Sequence, residues 1–221
     1  MLNERKLFTA SQNLAEADSD LKFIFEKYGT PPLWKREANF ATLVHIILEQ
    51  QVSLASALSA FNKLKENLGK ITPEKVLSLS DEELKTCYFS RQKTIYAREL
   101  SEAILDGNLN LKNLENLSVE EAKRELKKIK GIGDWTADIY LLMAQLRADV
   151  MPKGDLALHV AWKKLKNLEH APNSDEFQQI AEKWKPFRAV AARLLWHFYL
   201  SEKNFHHKDT RDTKNSNQKA K

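Results

Sequence analysis

Cysteine is almost absent from this chain. Cys87 is the single one among 221 residues, which excludes an intramolecular disulfide, a cysteine-ligated iron–sulfur cluster and a multi-cysteine zinc site. Cys87 itself reads as a packing residue. Long apolar runs are also missing: nothing approaches the roughly 20 consecutive apolar residues that a membrane helix needs. The N-terminus Met1-Leu2-Asn3-Glu4-Arg5-Lys6 has no secretory apolar core. The expected place is therefore intracellular, the cytoplasm with its nucleoid in a bacterium or the nucleus in a eukaryote. Alternating apolar and polar residues bounded by turn dipeptides, the mark of strands, do not occur. Nor is there an internal repeat, or low complexity before the C-terminal tail.

What remains is helical. At 43% hydrophobic and 29% charged, the composition suits one large soluble domain or two intimately packed lobes. Ser80-Asp81-Glu82-Glu83 and Ser118-Val119-Glu120-Glu121 are capping boxes, in which the serine accepts from an amide and the glutamate three residues on reaches back. Pro73 and Pro186 stand where a first helical residue would, and Leu54, Ala57, Leu58, Phe61, Leu64 and Leu68 form an apolar stripe at helical spacing. The expected fold is all-α: a compact, bilobed, monomeric bundle of about ten helices over 1–204. A disordered basic tail is expected at 205–221. His206 and His207 in that tail could hold a metal, but a solvated segment is the simpler reading. The formal charge of +5 and the pI near 9.1 suit a polyanionic partner such as nucleic acid, although the tail supplies part of the excess.

Two segments carry chemistry. In Leu126-Lys127-Lys128-Ile129-Lys130-Gly131-Ile132-Gly133-Asp134-Trp135-Thr136-Ala137, two helices flank a Gly-Ile-Gly turn. Glycines at 131 and 133 permit positive φ and remove side chains, so amides at the start of the second helix can meet a phosphate directly. Such a hairpin grips the DNA backbone and not a base sequence. An ordinary helix–helix turn is the alternative. Some twenty residues on, in Met151-Pro152-Lys153-Gly154-Asp155-Leu156-Ala157-Leu158, an aspartate opens another helix. An N-cap role is open to it. A carboxylate at a helix N-terminus also stays ionised, and an anion beneath a sugar stabilises an oxocarbenium-like transition state or activates the attacking water.

The hairpin Ile129 to Ala137, followed by a loop and Gly154-Asp155-Leu156, resembles the helix-hairpin-helix DNA glycosylase superfamily. The 3-methyladenine DNA glycosylase II branch is the most similar, through Ile46-Ile47-Leu48-Glu49-Gln50-Gln51-Val52-Ser53, Ser90-Arg91-Gln92-Lys93 and Trp184-Lys185-Pro186-Phe187-Arg188. The likeness runs from about residue 38 to 200, without the N-terminal β-rich lobe of some bacterial members.

The resemblance implies a base-excision glycosylase that flips alkylated purines out of double-stranded DNA and hydrolyses the N-glycosidic bond, with Asp155 catalytic. Strand-nicking members carry a lysine two positions after the second hairpin glycine. Trp135 stands there instead, and an indole forms no Schiff base, so a monofunctional enzyme is implied. Trp135 and Trp196 fall on positions that line the base pocket, and cationic bases such as 3-methyladenine or 7-methylguanine favour indole faces. Ile139 occupies a pocket position where some relatives have tyrosine. Gln51, expected at the start of a helix, is the implied minor-groove wedge, with Val52 or Ser53 as sharers. Gly131, Gly133, Thr136, Ser53, Arg91 and Lys93 are candidates for DNA-backbone contact, and Arg188 is expected to neutralise a neighbouring acid. No cofactor is implied beyond a sodium or potassium ion on the backbone carbonyls of Lys127, Ile129 and Ile132. Two alternatives share these motifs: a non-catalytic helix-hairpin-helix DNA-binding module, and a glycosylase for deaminated or oxidised bases.

Overall fold

The computed structural model describes the backbone of residues 1–218 and the side chains of residues 1–203. The described residues are helical throughout, with no strand. They form α1 (Glu4–Ala17), α2 (Ser19–Tyr28), α3 (Phe40–Glu49), α4 (Leu54–Leu68), α5 (Pro73–Ser78), α6 (Asp81–Thr86), α7 (Arg91–Leu105), α8 (Val119–Lys127), α9 (Asp134–Met143), α10 (Leu156–Leu165), α11 (Ser174–Ala181) and α12 (Arg188–Gln218). Single 3-10 turns occur at Asn113–Asn116 and Glu182–Trp184. Twelve helices replace the expected ten or so. The backbone of the segment expected to be a disordered tail follows α12 to Gln218, since no proline or glycine interrupts it. Residues 219–221, and the side chains of His206 and His207, lie outside what is described. Pro73 opens α5 as expected. Pro186 does not open α12: a cis peptide bond precedes it, and α12 begins at Arg188.

Local sequence explains most of the helix starts. Ser80 and Ser118 form the two anticipated capping boxes, and Asn173 forms a third ahead of α11. Asn3, Asp18, Asn39, Ser53, Thr72, Ser90 and Asp155 cap seven more helices through side-chain oxygens. α9 differs. Its N-cap is Gly133, which has no side chain with which to cap it.

The chain divides into two compact units, one of residues 34–150 with Met1 and the other of residues 2–33 and 151–221. In the first, α3 is the central rod. Leu43, Val44, Ile46, Ile47 and Leu48 are all buried, a helix apolar on nearly every side, as a helix wrapped by neighbours must be. α4, α7 and α9 pack around it, and α8 lies against α9. Asp138 of α9 is wholly buried, with the Lys123 ammonium of α8 at 2.7 Å. One turn away, Lys127 and Asp134 repeat the pair at 2.7 Å. These two bridges brace the helices on either side of the Gly131–Gly133 turn.

In the second unit, α12 packs against α1, α2 and α10. Edge-to-face contacts join Trp162, Phe177 and Trp184, and the buried Trp184 indole donates to Asp18 Oδ2 at 2.9 Å. Arg193 is fully buried. Its guanidinium donates to the carbonyls of Leu33 and Ala189, each at 3.0 Å, and burial brings its pKa down to about 10. No described helix is long and apolar enough to cross a membrane.

Candidate functional site

In the first unit the hairpin turn is built on one left-handed glycine, not two. Gly131 has φ +92°, and a Cβ there would stand 2.1 Å from Cγ of Tyr96, whose ring packs on the glycine. Gly133 has φ −92° and nothing within 4 Å of where a Cβ would be. Gly131 is therefore required by backbone and packing, whereas at Gly133 the missing side chain keeps the approach to the first turn of α9 open. Asp134 in that first turn is acidic, and Lys127 offsets it from 2.7 Å. Among the three carbonyls proposed for a cation, that of Ile129 accepts the Ile132 amide at 3.0 Å. A carbonyl oxygen has a second lone pair for an ion, and no side chain is needed.

Thr136 needs a correction as a candidate for DNA contact. Its side chain is turned inward and 2% exposed, and its hydroxyl accepts from Gln50 Nε2 at 2.9 Å. The same nitrogen donates to the Gly131 carbonyl at 2.9 Å. Gln50, to which the sequence alone assigns no role, thus ties the end of α3 to both sides of the hairpin turn. Gln51 follows it, exposed, with φ +57°. It sits in the turn between α3 and α4 and not at the start of a helix, which is the position Ser53 takes: Ser53 Oγ accepts the Ser56 amide at 3.1 Å.

Arg91 is exposed at the first turn of α7. Lys93 is spent inside the unit: its ammonium donates to the Leu48 carbonyl at 2.6 Å, and burial lowers its pKa. Val52, Ser56, Tyr88 and Lys93 are among the residues lining an open cleft of about 530 Å³. Trp135 is half-buried in the first turn of α9, and Ile139, one turn on, is 3% exposed and has almost no surface to present to a ligand.

In the second unit, Asp155 is 8% exposed. Its Oδ1 accepts the Leu158 amide at 3.0 Å, which makes it the N-cap of α10, and also the indole N–H of Trp196 at 3.1 Å. Trp196, on α12, is likewise 8% exposed. Its polar edge thus addresses the carboxylate, a pairing across 41 residues that no sequence period announces. His159 stands one turn further along α10. Burial holds its pKa below the ordinary value, while the Asp155 charge pulls the other way. Arg188 meets an acid as expected, Glu182 at 3.1 Å. Two donors at a helix N-terminus fix the Asp155 carboxylate in orientation, which suits it to stabilise a developing cation or to direct a water molecule.

The sequence profile of the HhH-GPD superfamily of base excision DNA repair proteins matches residues 44–187. DNA-3-methyladenine glycosylase 1 of Schizosaccharomyces pombe is 32% identical over 166 residues, 73% of each chain. YfjP of Bacillus subtilis is 28% identical over 80% of this chain, which spans 65% of that protein's length. Among solved structures, a Schizosaccharomyces pombe 3-methyladenine DNA glycosylase in complex with abasic DNA superposes with a TM-score of 0.80 at 30% identity. That match covers 85% of this chain and 95% of the other.

Proposed function

Because the chain belongs to the HhH-GPD superfamily of base excision DNA repair proteins, we propose that it is a monofunctional DNA glycosylase. In this reading it flips alkylated purines out of double-stranded DNA and hydrolyses their N-glycosidic bond, in the compartment that holds the DNA. The 3-methyladenine glycosylase names of its relatives support the substrate class. The observation that carries the mechanism is the seat of Asp155, an N-cap carboxylate whose Oδ1 is held by a main-chain amide and an indole N–H.

As the glycosidic bond lengthens, the electron pair leaves with the base and positive charge grows on the sugar. The Asp155 carboxylate stabilises that charge, orients the water that adds to the sugar carbon and accepts the proton that this water sheds. The products are the free base and an abasic site. Trp135 stands where a nicking enzyme needs an amine, so the strand is left intact. A purine nucleotide alkylated at N3 of adenine or N7 of guanine is cationic, and stacking on the Trp135 face gains roughly 0.5–2 kcal/mol that a neutral base forgoes. Extrusion itself costs a few kcal/mol, so the difference weighs on selection. Gln51 fills the vacated stack with a side chain able to bond the orphaned base. The N-terminus of α9 receives a phosphate, with Gly133 giving access and Arg91 adding charge. The carbonyls of Lys127, Ile129 and Ile132 would hold a sodium or potassium ion in the same reading, and it would supply fixed positive charge there.

The test is release of 3-methyladenine and 7-methylguanine from duplex DNA treated with an alkylating agent, by the wild type and by Asp155→Asn, with gel retardation on abasic-analogue DNA in parallel. The expected result is release by the wild type, loss of at least a hundredfold in the variant, on the scale of losing a preorganised electrostatic group, and retained binding by both. A folded wild type that binds DNA and frees only deaminated or oxidised bases would reassign the lesion. One that frees no base would make the protein a binding module.

A further inference from the structure

Three consecutive residues at the end of α3 are each fastened to a different part of the first unit. The Leu48 carbonyl accepts the Lys93 ammonium of α7 at 2.6 Å. The Glu49 carboxylate takes the Arg36 guanidinium in a two-pronged bridge at 2.7 and 2.9 Å, from the segment that precedes α3. Gln50 gives its amide nitrogen to Gly131 O and Thr136 Oγ1, each at 2.9 Å. The chain then enters Gln51, exposed and in the left-handed region, where a non-glycine residue stands only when its surroundings over-determine it.

From this we infer that Gln50 is a positioning residue for base extrusion: its two hydrogen bonds lock the Gln51 turn to the phosphate-gripping hairpin, so that grip and insertion act in one register. The inference rests on the proposed function and extends it to a residue that touches neither the base nor the reacting atoms. Other anchors act on the helix end. The Lys93 and Arg36 contacts hold α3 against its own unit, whereas Gln50 joins the two parts that must both meet the DNA. Its polarity is also specific. Gly131 O has no proton to give, so only an N–H donor at the end of a glutamine-length chain satisfies it while still reaching Thr136. A glutamate of the same shape has nothing to donate and would set an anion against that carbonyl. A leucine fills the space and makes neither bond.

Gln50→Glu and Gln50→Leu, each alone and combined with Gln51→Ala, test this on the full chain. The readouts are single-turnover release of 7-methylguanine, affinity for abasic-analogue duplex, and fluorescence of a 2-aminopurine next to the lesion as a measure of unstacking. Both Gln50 variants are expected to slow release about tenfold, the size of one or two lost hydrogen bonds expressed in a rate. Affinity for the abasic analogue should change less than threefold, because that DNA needs no extrusion, and the 2-aminopurine signal should fall. In the Gln51→Ala background the same substitutions should cost little more, since the side chain that Gln50 positions is already gone. Equal slowing with and without Gln51, slowing matched by an equal loss of affinity, or no slowing in the glutamate variant would overturn the inference. A wild type that frees no base would overturn the reading of the whole site along with it, and so is distinct from these.

Discussion

Replacing Trp196 with phenylalanine separates orientation of the carboxylate from its presence. The substitution keeps most of the apolar body of the side chain and deletes one atom group with a defined job, the indole N–H that donates to Asp155 Oδ1 at 3.1 Å. Both residues are only 8% exposed, so water does not readily replace the lost donor. A hydrogen bond to a charged partner is worth about 1.5–3 kcal/mol, and at 1.36 kcal/mol per decade its loss from the transition state slows base release by about ten- to a hundredfold. The Leu158 amide still holds the same oxygen at 3.0 Å, which is why the loss stays below that of Asp155→Asn. The assay is single-turnover release of 7-methylguanine with enzyme in excess, alongside the thermal midpoint and the affinity for abasic-analogue DNA. A rate within twofold of wild type would refute the view that the indole positions the carboxylate. So would a loss of affinity as large as the loss of rate, because the residue would then act in binding.

Other outcomes follow from the same contacts. Gly131→Ala forces a Cβ to 2.1 Å from the Tyr96 ring at φ +92° and is expected to destabilise the protein by about 2–4 kcal/mol. Gly133→Ala meets no clash and should keep the thermal midpoint while weakening DNA binding about tenfold; equal midpoints for the two variants would refute the division of labour between the glycines. Lys123→Met removes the ion pair of the wholly buried Asp138 and should cost about 3 kcal/mol, a fall of roughly 6–12 °C in thermal midpoint; an unchanged midpoint would show that the hairpin brace carries no stability. The Lys164 bond, with those from Tyr28 and Lys27, brings the Glu202 carboxyl down to about 2 from 4.5. The folded pKa lies below the unfolded one, so this stability is complete above about 4.5 and fades as pH falls toward about 2. Glu202→Gln should lower stability at neutral pH by about 1–2 kcal/mol after solvent screening and flatten that part of the acid unfolding curve, which a parallel pair of curves would contradict.

What could be read from the chain alone depended on how local its cause was. The boxes at Ser80 and Ser118 appear as expected because each closes within four residues. The hairpin was legible for the same reason, down to the glycine that must be left-handed, although one such glycine suffices. Long-range partners were hidden. Lys93 looked like a phosphate contact until its bond to Leu48, 45 residues earlier, became visible. Thr136 was expected to face the DNA backbone because it follows the hairpin glycines, yet Gln50, 86 residues away, claims its hydroxyl. Trp196 was expected as a wall of the base pocket, and its hydrogen bond to Asp155, 41 residues away, was not foreseen: what faces the carboxylate is its polar edge.

Capping and catalysis are easily taken as rival explanations of Asp155, and in the proposed mechanism they are a single arrangement. An N-cap asks only that a side-chain oxygen meet an amide, a task that asparagine performs about as well as aspartate. Capping therefore accounts for an oxygen at 155, and not for a negative charge or for a second donor arriving from α12. A carboxylate buried to this degree is costly unless it is hydrogen-bonded, and a site under selection for capping alone would have no need of it. In the proposed mechanism the cap in turn serves the chemistry, because the amide that anchors α10 also fixes one carboxylate oxygen and leaves the group little freedom to rotate away. The two roles then separate in one variant. Asp155→Asn retains an oxygen for the Leu158 amide and sheds the charge, so it should fold with a stability within about 0.5 kcal/mol of wild type while base release collapses. A variant that lost stability and activity together would show that the charge is needed for the helix itself, and the catalytic assignment would then lose its main physical support.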